Sequence, residues 1–232
     1  TAQTLMNSYN QMVQNVEYQE KRAESLQAAW EAMARKQAAG SATQAQLKEA
    51  QKSLDTARNS LESLNLQARE LRQQLLTMLG LEASSQAVIG TIPEPDMAAI
   101  EAVDYESDKV RAMGNDKSVQ NARHTSASST TEINIRFKLV DEAEGTKEAA
   151  FLASYQELQA RKTAYEAALT AFRSAQLSYE GLQRKQQAGL LTNTEYLEGQ
   201  ASYLEKKAAK ETASMNLVAA YESYCWDVKG IS

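Results

Sequence analysis

Few side chains in this sequence are of a type that could do chemistry. The single histidine, His124, has no second imidazole or cysteine near it in the sequence, so a metal site is not indicated. The single cysteine, Cys225, has no neighbouring histidine, which predicts a buried, inert thiol rather than a nucleophile. We interpret Asp104, Glu106 and Asp108 as solvated acids. No phosphate-binding glycine loop or catalytic serine motif is present, so the sequence predicts no enzyme, no cofactor and no metal.

The charge balance disfavours one class of partner. The 232 residues include 25 Lys and Arg against 30 Asp and Glu, a net charge of -5. Because the phosphate backbone favours a basic protein face, this balance argues against binding to nucleic acid. No apolar run approaches the ~18–20 residues that a membrane-spanning helix needs.

The elements that must position any site are long helices. Apolar residues recur at alternating spacings of four and three in four segments, which predicts left-handed coiled coils. The rows are Leu5, Tyr9, Met12, Val16, Ala23, Leu26, Trp30 and Met33; Leu47, Ala50, Leu54, Ala57, Leu61, Leu64, Ala68, Leu71, Leu75 and Met78; Phe151, Tyr155, Leu158, Tyr165, Leu169, Phe172 and Tyr179; and Tyr196, Tyr203, Leu217, Tyr221, Tyr224 and Val228. Polar residues interrupt three of them, at Gln19, Lys162, Gln176 and Lys210. We interpret the tyrosines of the last row as a packing seam.

A six-residue phrase occurs twice. RKQAAG at 35–40 and RKQQAG at 184–189 differ at one position and lie 149 residues apart. The glycine of each copy can take the left-handed conformation that ends a helix. Thr43 and Thr192, three residues after those glycines, can cap the helix that follows. The phrase therefore marks the tip of a helical hairpin, and the chain contains two copies of that hairpin.

The sequence between the two copies has a different character. Leu79-Gly80-Leu81 ends the second helix, and Pro93 and Pro95 then force an extended connection. Asp96 can cap a short helix from Met97.

Two further segments complete the predicted fold. Residues 125–131 are rich in Ser and Thr and predict a loop, whereas 132–140, EINIRFKLV, alternates apolar and polar residues as a strand does. We expect an all-α fold of two repeated long antiparallel coiled-coil hairpins with at most one short strand near 132–140. The expected division is a first hairpin at 1–90, a linker at 91–145 with a short helix, and a second hairpin at 146–232.

The order of these motifs resembles the outer membrane efflux proteins, the TolC-like family. The resemblance rests on the duplicated R-K-Q-x-A-G followed by Thr, and on the helix close LLTMLGLE at 75–82. It also rests on the linker IGTIPEPD, on SVQNAR and on the last helix from AGLLTNTEYLEGQ onward. These motifs cover most of the chain.

The resemblance implies a fold and a set of partners. Three copies would form a tunnel of packed helices, a TolC-like α-barrel, through which substrates pass unchanged in the cell envelope. The hairpin tips would dock a periplasmic adaptor, the membrane-fusion protein of an efflux pump, through a Val-Gly-Leu-type motif. The matching residues are Gly40 at the first tip, in Ala39-Gly40-Ser41, and Ala188, Gly189 and Leu190 at the second. Contact with the membrane is expected only through parts that are missing or reduced here.

A second class of function fits the heptads as well. A duplicated hairpin could serve as a coiled-coil scaffold or interaction protein of the envelope, with no channel at all. A channel wall needs two packing seams on each helix, one within its hairpin and one against neighbours, whereas a scaffold needs one. The positions outside the heptad rows therefore discriminate between the two classes.

Overall fold

The computed structural model describes residues 2–82 and 84–231. Four long helices coincide with the four heptad segments, and the described residues form helices and their connections without a strand. The helices are α1 (Ala2–Ala38), α2 (Gln44–Met78), α3 (Met97–Glu101), α4 (Tyr105–Asn115), α5 (Lys117–His124), α6 (Thr130–Gln187) and α7 (Asn193–Val228). The predicted all-α fold is confirmed.

The chain packs as two compact units. The first comprises Thr1–Pro93 with Ala167–Thr212, and the second comprises Glu94–Glu166 with Ala213–Ser232. The first unit contains α1, α2 and both predicted hairpin tips. Within it, the Lys207 ammonium on α7 lies 3.0 Å from a carboxylate oxygen of Glu17 on α1, which ties the two hairpins together.

The first hairpin buries part of its predicted heptad rows. Leu54, Ala57 and Leu75 of those rows are at most 4% exposed, and Leu76, outside the rows, is buried beside Leu75. Met78 at the end of the row is 48% exposed. The polar residue Gln19 is also buried, and its Nε2 donates a hydrogen bond to the carbonyl of Ala57 at 3.1 Å. This bond explains how the row tolerates a polar residue, because a buried amide without a partner would be costly.

The strand predicted at 132–140 is wrong. Helix α6 begins at Thr130, and the Glu132 amide donates to the Ser129 hydroxyl while the Ser129 amide donates to the Glu132 carboxylate. This reciprocal pair is a capping box, which fixes the first turn of a helix. The donors at Ser128 and Ser129 also lower the pKa of Glu132 below its ordinary value. The local cap therefore overrides the alternating apolar pattern, and the loop ends at Ser129.

The linker contains more helix than the sequence indicates. Asp96 caps α3 by accepting a hydrogen bond from the Ala99 amide at 3.0 Å, as predicted. Helices α4 and α5 were not predicted, and aspartates begin both: Asp104 accepts from Ser107, and Asp116 accepts from two amides of the first turn. Asp104 is thus a helix cap as well as a surface acid.

An aromatic cluster forms the core of the second unit. The rings of Tyr105, Phe151, Tyr155 and Tyr224 lie with centroids 4.9 to 6.2 Å apart. Tyr224 is 1% exposed, and its hydroxyl donates to Asp108 at 3.1 Å. Burial, and then the charge of Asp108, raise the pKa of Tyr224. The interpretation of Asp108 as a solvated acid is therefore wrong, since it anchors a buried phenol.

Candidate functional site: the two hairpin tips

The first tip closes through its own backbone. The φ of Gly40 is +73°, and its amide donates to the carbonyl of Gln37 at 3.0 Å. The amide of Ser41 donates to the carbonyl of Lys36 at 2.9 Å, which completes a Schellman motif. No atom lies within 4 Å of where a Cβ on Gly40 would stand, so the glycine is needed for its conformation rather than for space.

The same tip starts the next helix with a reciprocal cap. The amide of Gln46 donates to the hydroxyl of Thr43 at 3.3 Å, and the amide of Thr43 donates to the side-chain oxygen of Gln46 at 2.8 Å. The predicted capping role of Thr43 is confirmed, and the partner at Gln46 makes it a capping box.

The second tip repeats this closure. The φ of Gly189 is +70°, its amide donates to Gln186 at 3.0 Å, and the amide of Leu190 donates to Lys185 at 2.9 Å. As at Gly40, no atom lies within 4 Å of a Cβ placed on Gly189. Two tips 149 residues apart thus have one backbone geometry.

The cap of the second tip carries a charge. The hydroxyl of Thr192 accepts from the amide of Glu195 at 3.2 Å, and the Glu195 carboxylate accepts from the amide and the hydroxyl of Thr192 at 2.8 and 2.7 Å. The backbone donor, followed by the hydroxyl, lowers the pKa of Glu195 below its ordinary value of 4.5. At the first tip the neutral Gln46 has this place, so only the second cap can titrate.

The tips differ most in the residue after the glycine. Leu190 is 74% exposed, although its backbone amide is fixed by the cap. A hydrophobic residue at this position of a Schellman motif usually packs against the preceding turn. At the first tip Ser41 is exposed instead, and its hydroxyl donates to the carbonyl of Lys36 at 2.9 Å. The second tip therefore presents an apolar side chain to solvent where the first satisfies a polar one locally.

Aromatic rings support the second tip from behind. The rings of Tyr179 and Tyr203 stack with centroids 4.8 Å apart, and Phe172 continues the row against Tyr203 at 5.7 Å. The hydroxyls of Tyr179 and Tyr196 share a hydrogen bond of 3.0 Å, which with burial raises the pKa of Tyr196. The interpretation of the tyrosines as a packing seam is confirmed for these rings. They stiffen the hairpin that carries Leu190.

The structure also shows a second repeated glycine that the sequence interpretation missed. Gly80 after α2 and Gly230 after α7 both have positive φ, +71° and +70°. The next residues, Leu81 and Ile231, donate to carbonyls five residues earlier, at 2.9 and 3.0 Å. The segment Lys229-Gly230-Ile231 is the sequence signal for this second repeat. Gly230 lies 150 residues after Gly80, which the sequence did identify as the end of a helix. The repeated geometry thus includes the C-terminal end of the second helix of each hairpin as well as the tip.

The other residues that the sequence singled out lie apart from the tips. His124 is exposed at the end of α5, and Cys225 is half-buried rather than buried, beside Tyr221. Within residues 2–82 and 84–231, no three His, Cys, Asp or Glu side chains gather as a metal-binding group. No helix among the same residues is both long enough and apolar enough to cross a bilayer.

Solved structures of similar fold include outer membrane proteins. VceC, an outer membrane protein of Vibrio cholerae, has a TM-score of 0.57 at 12% identity, over 100% of this chain and 69% of its own. The outer-membrane channel OprN has a TM-score of 0.54 at 10% identity, over 99% of this chain and 66% of its own. CusC, described in connection with transmembrane channel formation, has a TM-score of 0.54 at 11% identity, over 94% and 75%.

The chain has the helical fold of TolC-like outer-membrane channels. The resemblance drawn from the sequence motifs is confirmed at the level of the fold. No protein-family model matches the sequence, and the comparison with curated proteins gives no match. The chain spans 66% to 75% of the length of these three channels. In this chain both glycine tips lie at turns between two long helices, α1 and α2 at the first and α6 and α7 at the second.

Proposed function

We propose that this chain is the helical duct of a TolC-like outer membrane efflux or secretion channel. It works in the cell envelope as a passive conduit and not as an enzyme. Copies of the chain assemble, as a homotrimer in the full-length protein, around a water-filled passage. The duplicated hairpin and the likeness of the fold to VceC, OprN and CusC support this function.

One observation favours the duct over the scaffold. Each long helix has a large apolar side chain exposed outside its heptad row: Val13 at 39%, Leu66 at 51%, Leu177 at 69% and Trp226 at 53%. A scaffold that packs only within its hairpins leaves these residues exposed, whereas a wall has neighbours on a second side that would cover them. Burial of such residues between copies supplies the hydrophobic free energy of assembly.

The mass of the purified chain tests the assembly. We expect light scattering to give three times the 25.6 kDa of one chain, and a stable dimer would contradict the duct. Leu66→Gln and Leu177→Gln should shift the chain toward monomer, because each places a polar group in the seam. Glu49→Gln, exposed on another face of α2, is the matched control and should leave the mass unchanged.

The tips are the proposed adaptor site. Gly40 and Gly189 set the turn, and Ala188 with Leu190 provides an apolar contact for a periplasmic adaptor. The 74% exposure of Leu190 on a fixed backbone supports this role, because ordering it on binding costs little backbone entropy.

Exchanging the residues after the two glycines tests the docking. Leu190→Ser gives the second tip the residue of the first, and we expect it to weaken capture of a purified adaptor hairpin. Ser41→Leu makes the reciprocal change and is expected to preserve or strengthen capture. Unchanged capture with Leu190→Ser would contradict docking through this residue while leaving the assembly proposal standing.

The division into repeats stays a prediction. We propose that 1–90 and 146–232 are two copies of one ancestral hairpin and that 91–145 is the connection between them. Expression of 146–232 alone tests this, since a true hairpin repeat should fold as a helical unit.

A further inference from the structure

Helix α5 lies beside α6 with an open groove along one of its faces. The groove has a volume of about 580 Å³ and is lined from both helices. The α5 face repeats at helical spacing: Ser118, Asn121, Ala122 and Thr125. Ala143 and Thr146 line the α6 side. Leu139, Glu142 and Lys147 of α6 line it as well, so the space is a groove along one edge of α5, whereas Val119 marks the side on which α5 is packed.

The start of α5 is firmly held. Asp116 caps it by accepting from the amides of Ser118 and Val119 at 2.8 and 3.0 Å, and Val119 is fully buried. The ammonium of Lys147 on α6 lies 3.6 Å from a carboxylate oxygen of Asp116 and 3.6 Å from one of Asp227 on α7. Lys147 is 6% exposed, so these ion pairs are screened little by solvent.

The residue before that cap is also fixed. The side-chain amide of Asn115 donates to the carbonyl of Val228 at 2.8 Å. Gly230 lies so close that a Cβ on it would stand 2.4 Å from the carbonyl oxygen of Asn115. Gln120 reaches back from α5 to donate to the carbonyl of Gly114 at 2.7 Å. Together these contacts pin Asn115 and Asp116 to α6 and to the end of α7.

The far end of α5 is held differently. Its second turn is exposed apart from the half-buried Ala122. Arg123 donates from Nε and Nη2 to one carboxylate oxygen of Glu144 on α6, at 2.9 and 2.7 Å. The two side chains are 45% and 34% exposed. An ion pair in this setting is weak and is screened by salt.

We propose that α5 is a hinged flap: its first turn is the pivot, anchored through Asp116 and Val119, and the turn that follows, residues 121–125, is latched by the Arg123–Glu144 ion pair. Opening the latch lets residues 121–125 unwind away from α6 and widens the groove, while Asp116, Lys147 and Asp227 hold the pivot. The flap responds to ionic strength because the latch is exposed, whereas Lys147 and Val119 at the pivot are buried. This device is independent of the proposed channel function.

Hydrogen exchange of the full chain tests the latch. At 50 mM NaCl, Arg123→Gln is expected to accelerate amide exchange in residues 121–125 by about two- to fivefold, the effect of losing one exposed ion pair. At 1 M NaCl the unchanged protein should show a similar acceleration, and the variant should show no further one. Arg111→Gln is the matched control, because it removes an ion pair with Asp108 inside α4. Equal exchange of 121–125 in Arg123→Gln and the unchanged protein would overturn the proposal.

A second pair of variants tests the pivot. Lys147→Met leaves Asp116 facing Asp227 and is expected to accelerate exchange of all of α5 by more than tenfold, whereas Lys147→Arg should restore slow exchange. Exchange in α3 should stay slow in both variants. If Lys147→Met instead accelerated α3 and α5 equally, Lys147 would support the whole unit and the hinge would be disproved.

Discussion

The two hairpins have the same turns but different seams. In α2, Leu47 and Leu54 are the residues equivalent to Tyr196 and Tyr203 of α7, 149 positions later. The first hairpin buries Leu54 at 1% exposure, whereas the second stacks Tyr203 between aromatic rings of α6. Both hairpins still turn at a glycine with φ near +70°, and a Thr caps the helix that follows each turn. Backbone closure therefore survives a full change of the side chains beneath it.

The largest expected effect lies in the seam of the first hairpin. Leu54→Ala should lower the free energy of unfolding by about 2–5 kcal/mol, because it opens a cavity in a fully buried site. At the equivalent place, Tyr203→Leu should cost about 0.5–1.5 kcal/mol, the value of aromatic pairing. Urea denaturation followed by circular dichroism measures both. Lys48→Ala, exposed on α2, is the control. Equal losses of unfolding free energy in Leu54→Ala and Tyr203→Leu would show that the two seams do not differ as expected.

The tips should respond equally to loss of glycine. Gly40→Ala and Gly189→Ala should each cost about 1–2 kcal/mol, since an L residue is strained at positive φ. Gly181→Ala, inside α6 with no atom within 4 Å of the added Cβ, should instead stabilise by about 0.5–1 kcal/mol. Thermal unfolding gives the three values. A loss at one tip only would show that the two turns are not energetically equivalent.

Removal of the caps should have a smaller effect. Thr43→Ala and Thr192→Ala should each cost about 1 kcal/mol, because both remove the acceptor for the amide three residues on. Hydrogen exchange of the backbone amides of Gln46 and Glu195 reports the loss of each cap directly. Serine at either position restores the hydroxyl and should recover the slow exchange.

The smallest effect should be a difference in acid sensitivity. The lowered pKa of Glu195 means that its stabilising contribution is complete above 4.5 and is lost as the pH falls through the lowered value. The Thr192 cap should then loosen in acid, whereas the Thr43 cap, paired with neutral Gln46, should not. Amide exchange at the two caps between pH 6 and pH 3 measures this. Glu195→Gln should make the second cap as insensitive to acid as the first.

Much of the fold could be predicted because its signals are local. Heptads fix which face of a helix is buried, and Gly40 with Thr43 specifies a turn within four residues. The same kind of signal was overlooked at Ser129 and Glu132, where a capping box starts α6 and makes the alternation of 132–140 irrelevant.

The remaining contacts could not be predicted from spacing. Asp108 and Tyr224 are 116 residues apart, and only the packing of α4 against α7 brings the carboxylate to the phenol. The exposure of Leu190 was also beyond the sequence, since a leucine after a helix-ending glycine usually folds back onto the helix. At the tips, the sequence therefore indicated the shape of the turn but not what the turn presents.

The closure of each tip has a consequence for how such a protein can change over time. The bonds that hold the turn come from the amides at 40–41 and 189–190 and from carbonyls one turn earlier, so they are indifferent to most side chains. The residue after the glycine can be replaced, as Ser41 and Leu190 already illustrate, with little loss of fold. A lineage could thus alter what a tip binds by single substitutions, without having to evolve a new turn.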